Sequence, residues 1–209
     1  MEQGSDFPPY LWGPVTWQTL FTLAYTCAEA DYAALRTLVF DLLPHLLPCT
    51  GCRTNALAAD GRPGITYRRA LKKIGPGRPR TSTRMLAFLH QLKEEVNHET
   101  RAPKDFLTPA RLQNRLAFLA GEIDEVRLAD ALVLYAISAE RRAEEARFVE
   151  MLRALYTLLP EGALRQWLAK PAAYDAVIVA LRAAHAVRSV HGRDTFDLSH
   201  YESFLGGTK

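Results

Sequence analysis

The sequence predicts an all-α protein. Apolar residues recur at helical spacing from Pro14 to about Val190, no stretch shows the period-two alternation of a half-buried strand, and proline and glycine punctuate the periodic segments.

From Pro14 onward Trp17, Leu20, Phe21, Ala24 and Ala28 fall at i, i+3, i+4, i+7 and i+11, one face of a helix that Cys27 shares. Asp31 is placed to cap a second helix, in which Leu35, Leu38, Val39 and Leu42 keep the period until Pro44 interrupts it. A third, short helix begins at Cys49, directly after Pro48, and stops near Gly61. The glycine- and proline-rich DGRPGITYRRALKKIGPGRPRTST reads mainly as loop, with one helical turn around Arg69 to Lys73. Ser82 caps a fourth helix carrying Met85, Leu89, Leu92 and Val96 inward. Past Pro103, Thr108 and Pro109 supply an N-cap and N1 pair, and Gly121 a C-terminal stop.

The second half echoes the first. LAYTCAEADYAALRTLVFDLLPHLLPCTGCR and LYAISAERRAEEARFVEMLRALYTLLPEGALR both read as a helix, a charged turn, a leucine-rich helix, then Leu-Pro. Pro48-Cys49-Thr50-Gly51-Cys52-Arg53 falls opposite Pro160-Glu161-Gly162-Ala163-Leu164-Arg165, without the cysteines. The echo is either a degenerate duplication or an unrelated helical extension, and it divides the chain into 1–107 and 108–209. ERRAEEARFVEMLRALY alternates charge at helical spacing and reads as a solvated face; Trp167 and Tyr174 read as packing residues.

Composition sets outer bounds. The 209 residues, 48% hydrophobic and 23% charged, suit one large domain or two small ones. A net charge of +3 does not imply a nucleic-acid partner. The opening MEQGSDFPPYLWGP lacks a basic n-region and an apolar h-region, and no later run approaches the roughly 20 apolar residues that span a bilayer. The expectation is a soluble intracellular protein with no membrane partner.

The chain has three cysteines, and Cys49 and Cys52 form a Cys-x-x-Cys pair. Such a pair ligates metal, carries electrons or is simply buried. His45, Cys49 and Cys52 offer three zinc ligands at acceptable spacing, but a structural site takes four, and His90, His98, His185, His191 and His200 are scattered. No metal is expected. A thioredoxin-like motif follows a strand, whereas helices flank this one. Redox chemistry still suits a helical setting: the first turn of a helix aims positive dipole at both sulfurs, Arg53 adds a cation, and thiolate is favoured. The pair then needs an electron acceptor.

Here the chain resembles the Erv/ALR family of flavin-dependent sulfhydryl oxidases. The carriers are WGPVTW (Trp12 to Trp17), Leu20 and Phe21, Tyr25, Pro-Cys-x-x-Cys-Arg at Pro48 to Arg53, and Val96-Asn97 in LHQLKEEVNHETRAPKDF, in family order over residues 10 to 106. The sequence departs from the pattern at Phe21, where the family has His, and at Lys93-Glu94, where it has His-Asn; the family's extra cysteines are absent. The resemblance is greatest to viral members, the baculovirus-type enzymes also carrying a degenerate second copy. That would place the protein in host cytoplasm or nucleus and in the virion.

The resemblance implies an Erv-like bundle over residues 1 to 107 that cradles FAD, with the second helical domain packed on it as an internal pseudo-dimer or docking a partner; family members dimerise through these helices, so the duplicate would replace or enlarge a homodimer interface. Trp12, Gly13, Trp17, Phe21, Tyr25, Val96 and Asn97 would surround the cofactor, with Arg101 or Lys104 near its phosphates. A thiolate of a protein substrate or small redox partner would attack an exposed Cys49, a sheltered Cys52 would face the flavin, and dioxygen would be the terminal acceptor, giving hydrogen peroxide. The competing expectation is a helical adaptor with an incidental cysteine pair. Between Asp60 and Glu94 there is no acidic residue, while Arg62, Arg68, Arg69, Lys72, Lys73, Arg78, Arg80, Arg84 and Lys93 accumulate. GPGRPRT resembles an AT-hook core, but the simpler expectation is a solvated loop beside the FAD phosphates, with nucleic acid set aside.

Overall fold

A computed structural model of the chain describes residues 7–75, 77–99, 123–169 and positions 180, 184, 186, 187 and 190. The all-helical expectation is borne out: among the described residues there is no strand, only an isolated bridge between Leu57 and Pro63. None of the described helices is long and apolar enough to cross a membrane.

Helix α1 (Pro9–Thr26) starts earlier than the periodicity suggests, so Trp12 and Gly13 are helical and Pro14 lies inside. Pro9 at the helix start, with its fixed φ, sets the earlier beginning. Leu20, Phe21 and Ala24 are buried as expected, but the helix ends at Thr26, leaving Cys27 as its C-cap and Ala28 exposed. A 3-10 turn, Glu29–Asp31, leads into α2 (Tyr32–Thr37), and Asp31 makes no capping hydrogen bond. A π-helical stretch, Leu38–Leu42, and α3 (Leu43–Leu46) continue the helix to residue 46. Pro44 therefore does not end the helix: it has no N–H for an ordinary bond to Phe40, and the widened turn absorbs the misfit.

Helix α4 (Thr50–Ala56) carries Cys49 as its N-cap and stops short of Gly61, because the chain turns at Leu57 to meet Pro63. Gly64 touches this turn so closely that a Cβ would stand 2.3 Å from the Asn55 carbonyl, so only glycine fits. Where the sequence suggested a single turn, α5 (Ile65–Ile74) is a full helix. Its inward residues Thr66, Tyr67 and Ala70 obey helical spacing, and the flanking glycines act as caps, Gly75 at φ 98°. Tyr67 joins Phe40 and Phe88 in an aromatic cluster and donates to the Val39 carbonyl at 3.0 Å. Helix α6 (Ser82–Glu99) is capped one residue earlier than expected: Thr81 Oγ1 accepts from the Arg84 N–H at 3.3 Å. Met85, Leu89 and Leu92 are buried, and Val96 is half-buried.

The second half supplies α7 (Glu125–Glu140), α8 (Glu145–Leu158) and α9 (Ala163–Ala169). Thr108, Pro109, Gly121 and Tyr174 lie outside the described residues. Helix α1 packs between α6 and α7, while α2 and its π-helical continuation pack on α8. Apolar side chains of both halves join in a contiguous core, from Phe7 to Leu92 and from Val126 to Val187. The order helix, turn, helix, Leu-Pro, short helix thus occurs twice, and the echoed partners α1 and α7 lie against each other.

Candidate functional site

The chain that delivers Cys49 is held at each step. The carbonyls of His45 and Leu46 accept from Arg142, that of Leu47 from Arg53 Nη1 at 2.7 Å, and that of Pro48 from the Phe7 N–H at 3.1 Å. Cys49 is extended and caps α4: its Sγ accepts from the Cys52 N–H at 3.2 Å. The two cysteines are joined as a disulfide across a Cα–Cα distance of 5.2 Å, comfortable for such a bond. Both sulfurs belong to the first turn of a helix, where N–H dipoles favour negative charge. Arg53, expected as a nearby cation, bonds the Leu47 carbonyl and Thr50 Oγ1. Cys27, the remaining thiol, is partly buried and donates to the Ala28 carbonyl at 3.3 Å.

Beside the disulfide lies a cavity of about 910 Å³, walled by α1, α4, the start of α5 and the second half of α6. It sits at the upper end of the size range of small-molecule and cofactor pockets. Trp12, Gly13, Trp17, Phe21, Val96 and Asn97 line it together with Cys49 and Cys52, so eight of the residues singled out in the sequence meet in one place. Trp17 and Phe21 present rings 6.1 Å apart and tilted by 30°. Tyr25 does not line the cavity; it is 40% exposed in the last turn of α1. Arg101 and Lys104 lie outside the described residues. Neither cysteine is strongly exposed: both are half-buried, so the expected contrast between them is not marked.

Several cavity residues were not among the expected cofactor contacts: Asn55 and Tyr67 were not singled out at all, His90 was weighed only as a metal ligand, and Glu94 was noted only as a departure from the family pattern. The signal for Tyr67 was available, since it falls with Thr66 and Ala70 on the inward face of α5; His90 and Glu94 lie off the apolar stripe of α6, and its period does not point to them.

The basic run is largely engaged elsewhere. Arg69 and Lys73, on α5, pair with Glu95, and Arg69 also with Glu99; Arg78 pairs with Asp41 and covers the Phe40 ring at 5.0 Å; Arg84 reaches the Ile74 carbonyl. The expected loop beside phosphates is thus half helix, and of these nine residues Lys93 lines the cavity, 6.0 Å from the Phe21 ring. Among the described residues no group of three or more His, Cys, Asp or Glu side chains could hold a metal ion.

Two features test whether the cavity suits a flavin dinucleotide. Glu94 lines it, and Glu94 Oε1 is buried without a hydrogen-bond partner, a costly state that a ligand hydroxyl or N–H would relieve. A Cβ at Gly13 would meet no atom within 4 Å, so the wall there is held back by the lack of a side chain. An aromatic, mostly apolar chamber with an unpaired acceptor fits an isoalloxazine ring and its hydroxyl-bearing tail.

The echoed position in the second half is closed. Leu164 stands where Cys52 stands in the first half and is fully buried, and its N–H donates to Glu125 Oε1 at 3.3 Å, where the Cys52 N–H meets a sulfur. Glu125 lies so close over Gly162 that a Cβ there would clash with it at 2.1 Å. Trp167 packs against the core. Comparison of the chain with protein-family models, with curated proteins and with solved structures finds no match in any of the three.

Proposed function

We propose that the protein is an FAD-linked thiol oxidase of the Erv/ALR kind, making disulfide bonds in protein substrates. The observation that carries this reading is the Cys49–Cys52 disulfide at the head of α4, set in the wall of an aromatic cavity large enough for a flavin.

Trp12, Trp17, Phe21, Val96 and Asn97 would hold the flavin, with Glu94 accepting from one of its donors and Lys93 offering positive charge. The chemistry FAD supplies when bound is a two-electron acceptor that dioxygen reoxidises with release of hydrogen peroxide. A substrate thiolate attacks Cys49 Sγ; the Cys49–Cys52 bond breaks, a mixed disulfide forms, and Cys52 leaves as a thiolate. A second substrate thiol, losing its proton, displaces Cys49, so the substrate gains a disulfide and the pair holds two electrons. The N-terminal dipole of α4 stabilises both leaving thiolates. The second half is a degenerate copy that packs on the first as an internal pseudo-dimer. The order of its helices and the pairing of α1 with α7 support that view.

The test is a visible absorption spectrum of the purified protein, followed by oxygen uptake on adding dithiothreitol in air. A bound-flavin band with thiol-dependent oxygen consumption is expected. Cys49→Ser and Cys52→Ser should stop the consumption and keep the flavin. A colourless protein that consumes no oxygen with FAD added overturns the reading and leaves a helical adaptor.

A further inference from the structure

We propose that Arg142, a residue of the second half, is a positioning residue for the Cys49–Cys52 pair. The helical stretch through α3 ends at Leu46, and the last carbonyls of a helix have no partner inside it. Arg142 Nη1 donates to the His45 carbonyl at 2.5 Å and Nη2 to the Leu46 carbonyl at 3.4 Å, while Nε donates to the Ser138 carbonyl at 2.9 Å. One guanidinium therefore joins the end of α7 to the end of α3. With Arg53 on Leu47 and Phe7 on Pro48, four successive carbonyls leading to Cys49 are fixed from three parts of the chain.

This matters for redox behaviour because Cys49 is not inside α4. It is the extended residue that caps it, so its distance to Cys52 depends on how the preceding chain enters the helix. Holding residues 45–48 raises the effective concentration of one thiol at the other in the reduced protein, and so favours the disulfide. The planar fork of Arg meets two carbonyls at once, which a lysine ammonium does not reproduce. Arg142 is not needed merely to join the halves: the apolar packing of α1 on α7 and of α2 on α8 does that.

The proposal rests on the proposed oxidase function only in treating the pair as redox-active, and its test uses neither flavin nor oxygen. Full-length protein is equilibrated under argon with mixtures of reduced and oxidised dithiothreitol: the protein disulfide takes two electrons and two protons from the dithiol, which closes to its cyclic disulfide. Alkylation and mass spectrometry then give the oxidised fraction of the Cys49/Cys52 peptide. Arg142→Met should reach half-reduction at an about fivefold lower dithiol-to-disulfide ratio than the parent, with Arg142→Lys between the two. Arg165→Met, which removes a comparable bond from Arg165 Nε to the Tyr156 carbonyl at 3.0 Å, should keep the parent midpoint.

A midpoint for Arg142→Met within about twofold of the parent overturns the proposal, as does an equal shift in Arg165→Met. If Arg142→Met fails to fold, Arg142→Lys decides by the same margin. A parent pair that titrates normally in a protein that binds no flavin would remove the oxidase reading and leave the role of Arg142 standing.

Discussion

Lys73 Nζ lies 2.6 Å from Glu95 Oε1, joining the outer face of α5 to a carboxylate on α6 that is only 7% exposed. Arg69 Nη1 approaches the other oxygen at 3.8 Å. The next two residues of α6, Val96 and Asn97, line the cavity, so this pair fixes the wall that carries them. Glu95→Ala should cost about 1–3 kcal/mol in urea unfolding, less than a fully buried pair would, because both cations are about half exposed to solvent. Lys73→Ala should cost less, since Arg69 still answers the carboxylate. The reverse order would show that the carboxylate is held by something other than these cations.

Trp17 and Phe21 form the aromatic wall nearest Lys93, and Tyr25, one turn further on, faces away. Trp17→Ala should weaken FAD binding about fivefold to thirtyfold in a fluorescence titration, the loss of one ring contact of about 1–2 kcal/mol. Tyr25→Ala should leave it unchanged. Equal losses in the two variants would mean that the flavin, if bound, sits elsewhere.

His45 lies in α3, next to its last residue, beside the turn between α7 and α8. Burial, reinforced by Arg147, holds its imidazole below the usual range, against the opposing pull of Glu144. A His with a depressed folded pKa is neutral when folded, so its contribution to stability is present above the unfolded pKa, about 6.5, and declines as pH falls through that value. The melting temperature should therefore drop between about pH 7 and pH 5. His45→Gln should flatten that part of the profile, and an unchanged slope would assign it to other groups.

The helices were legible in the sequence wherever an apolar period was unbroken, and six of the eight cavity residues were legible only through the resemblance to the Erv/ALR pattern, the cysteine pair alone standing out by itself. Three kinds of information were not. Helix boundaries near proline escaped: Pro9 and Pro14 are both inside α1, and Pro44 is accommodated by a π turn, because a ring without an N–H can be absorbed by neighbours that local propensity does not see. Helix α5 was obscured by its glycine- and proline-rich flanks, although Tyr67 and Ala70 already carried its inward face. Tertiary contacts were beyond reach: nothing local ties Arg142 to His45, which is 97 residues away in the chain, or leaves Glu94 Oε1 without a partner.

The junction between the halves meets the cavity wall at Tyr135, which touches both Trp12 and Thr16. Tyr135, fully buried on α7, meets the edge of Trp12 at a centroid distance of 5.7 Å and 74°, and its hydroxyl lies 3.2 Å from Thr16 Oγ1. Trp12 in turn lines the cavity, and its Nε1 donates to the Phe7 carbonyl at 3.2 Å. Tyr135→Phe keeps the ring and loses one hydrogen bond, so it should cost about 1 kcal/mol and spare flavin affinity. Tyr135→Ala removes the backing of Trp12 and opens a void between α1 and α7. It should cost about 3–5 kcal/mol and also weaken FAD binding, although Tyr135 does not line the cavity itself. Denaturant unfolding and flavin titration of the two variants separate the terms. If Tyr135→Ala is as destabilised as expected yet binds FAD like the parent, Trp12 keeps its place without support from the second half.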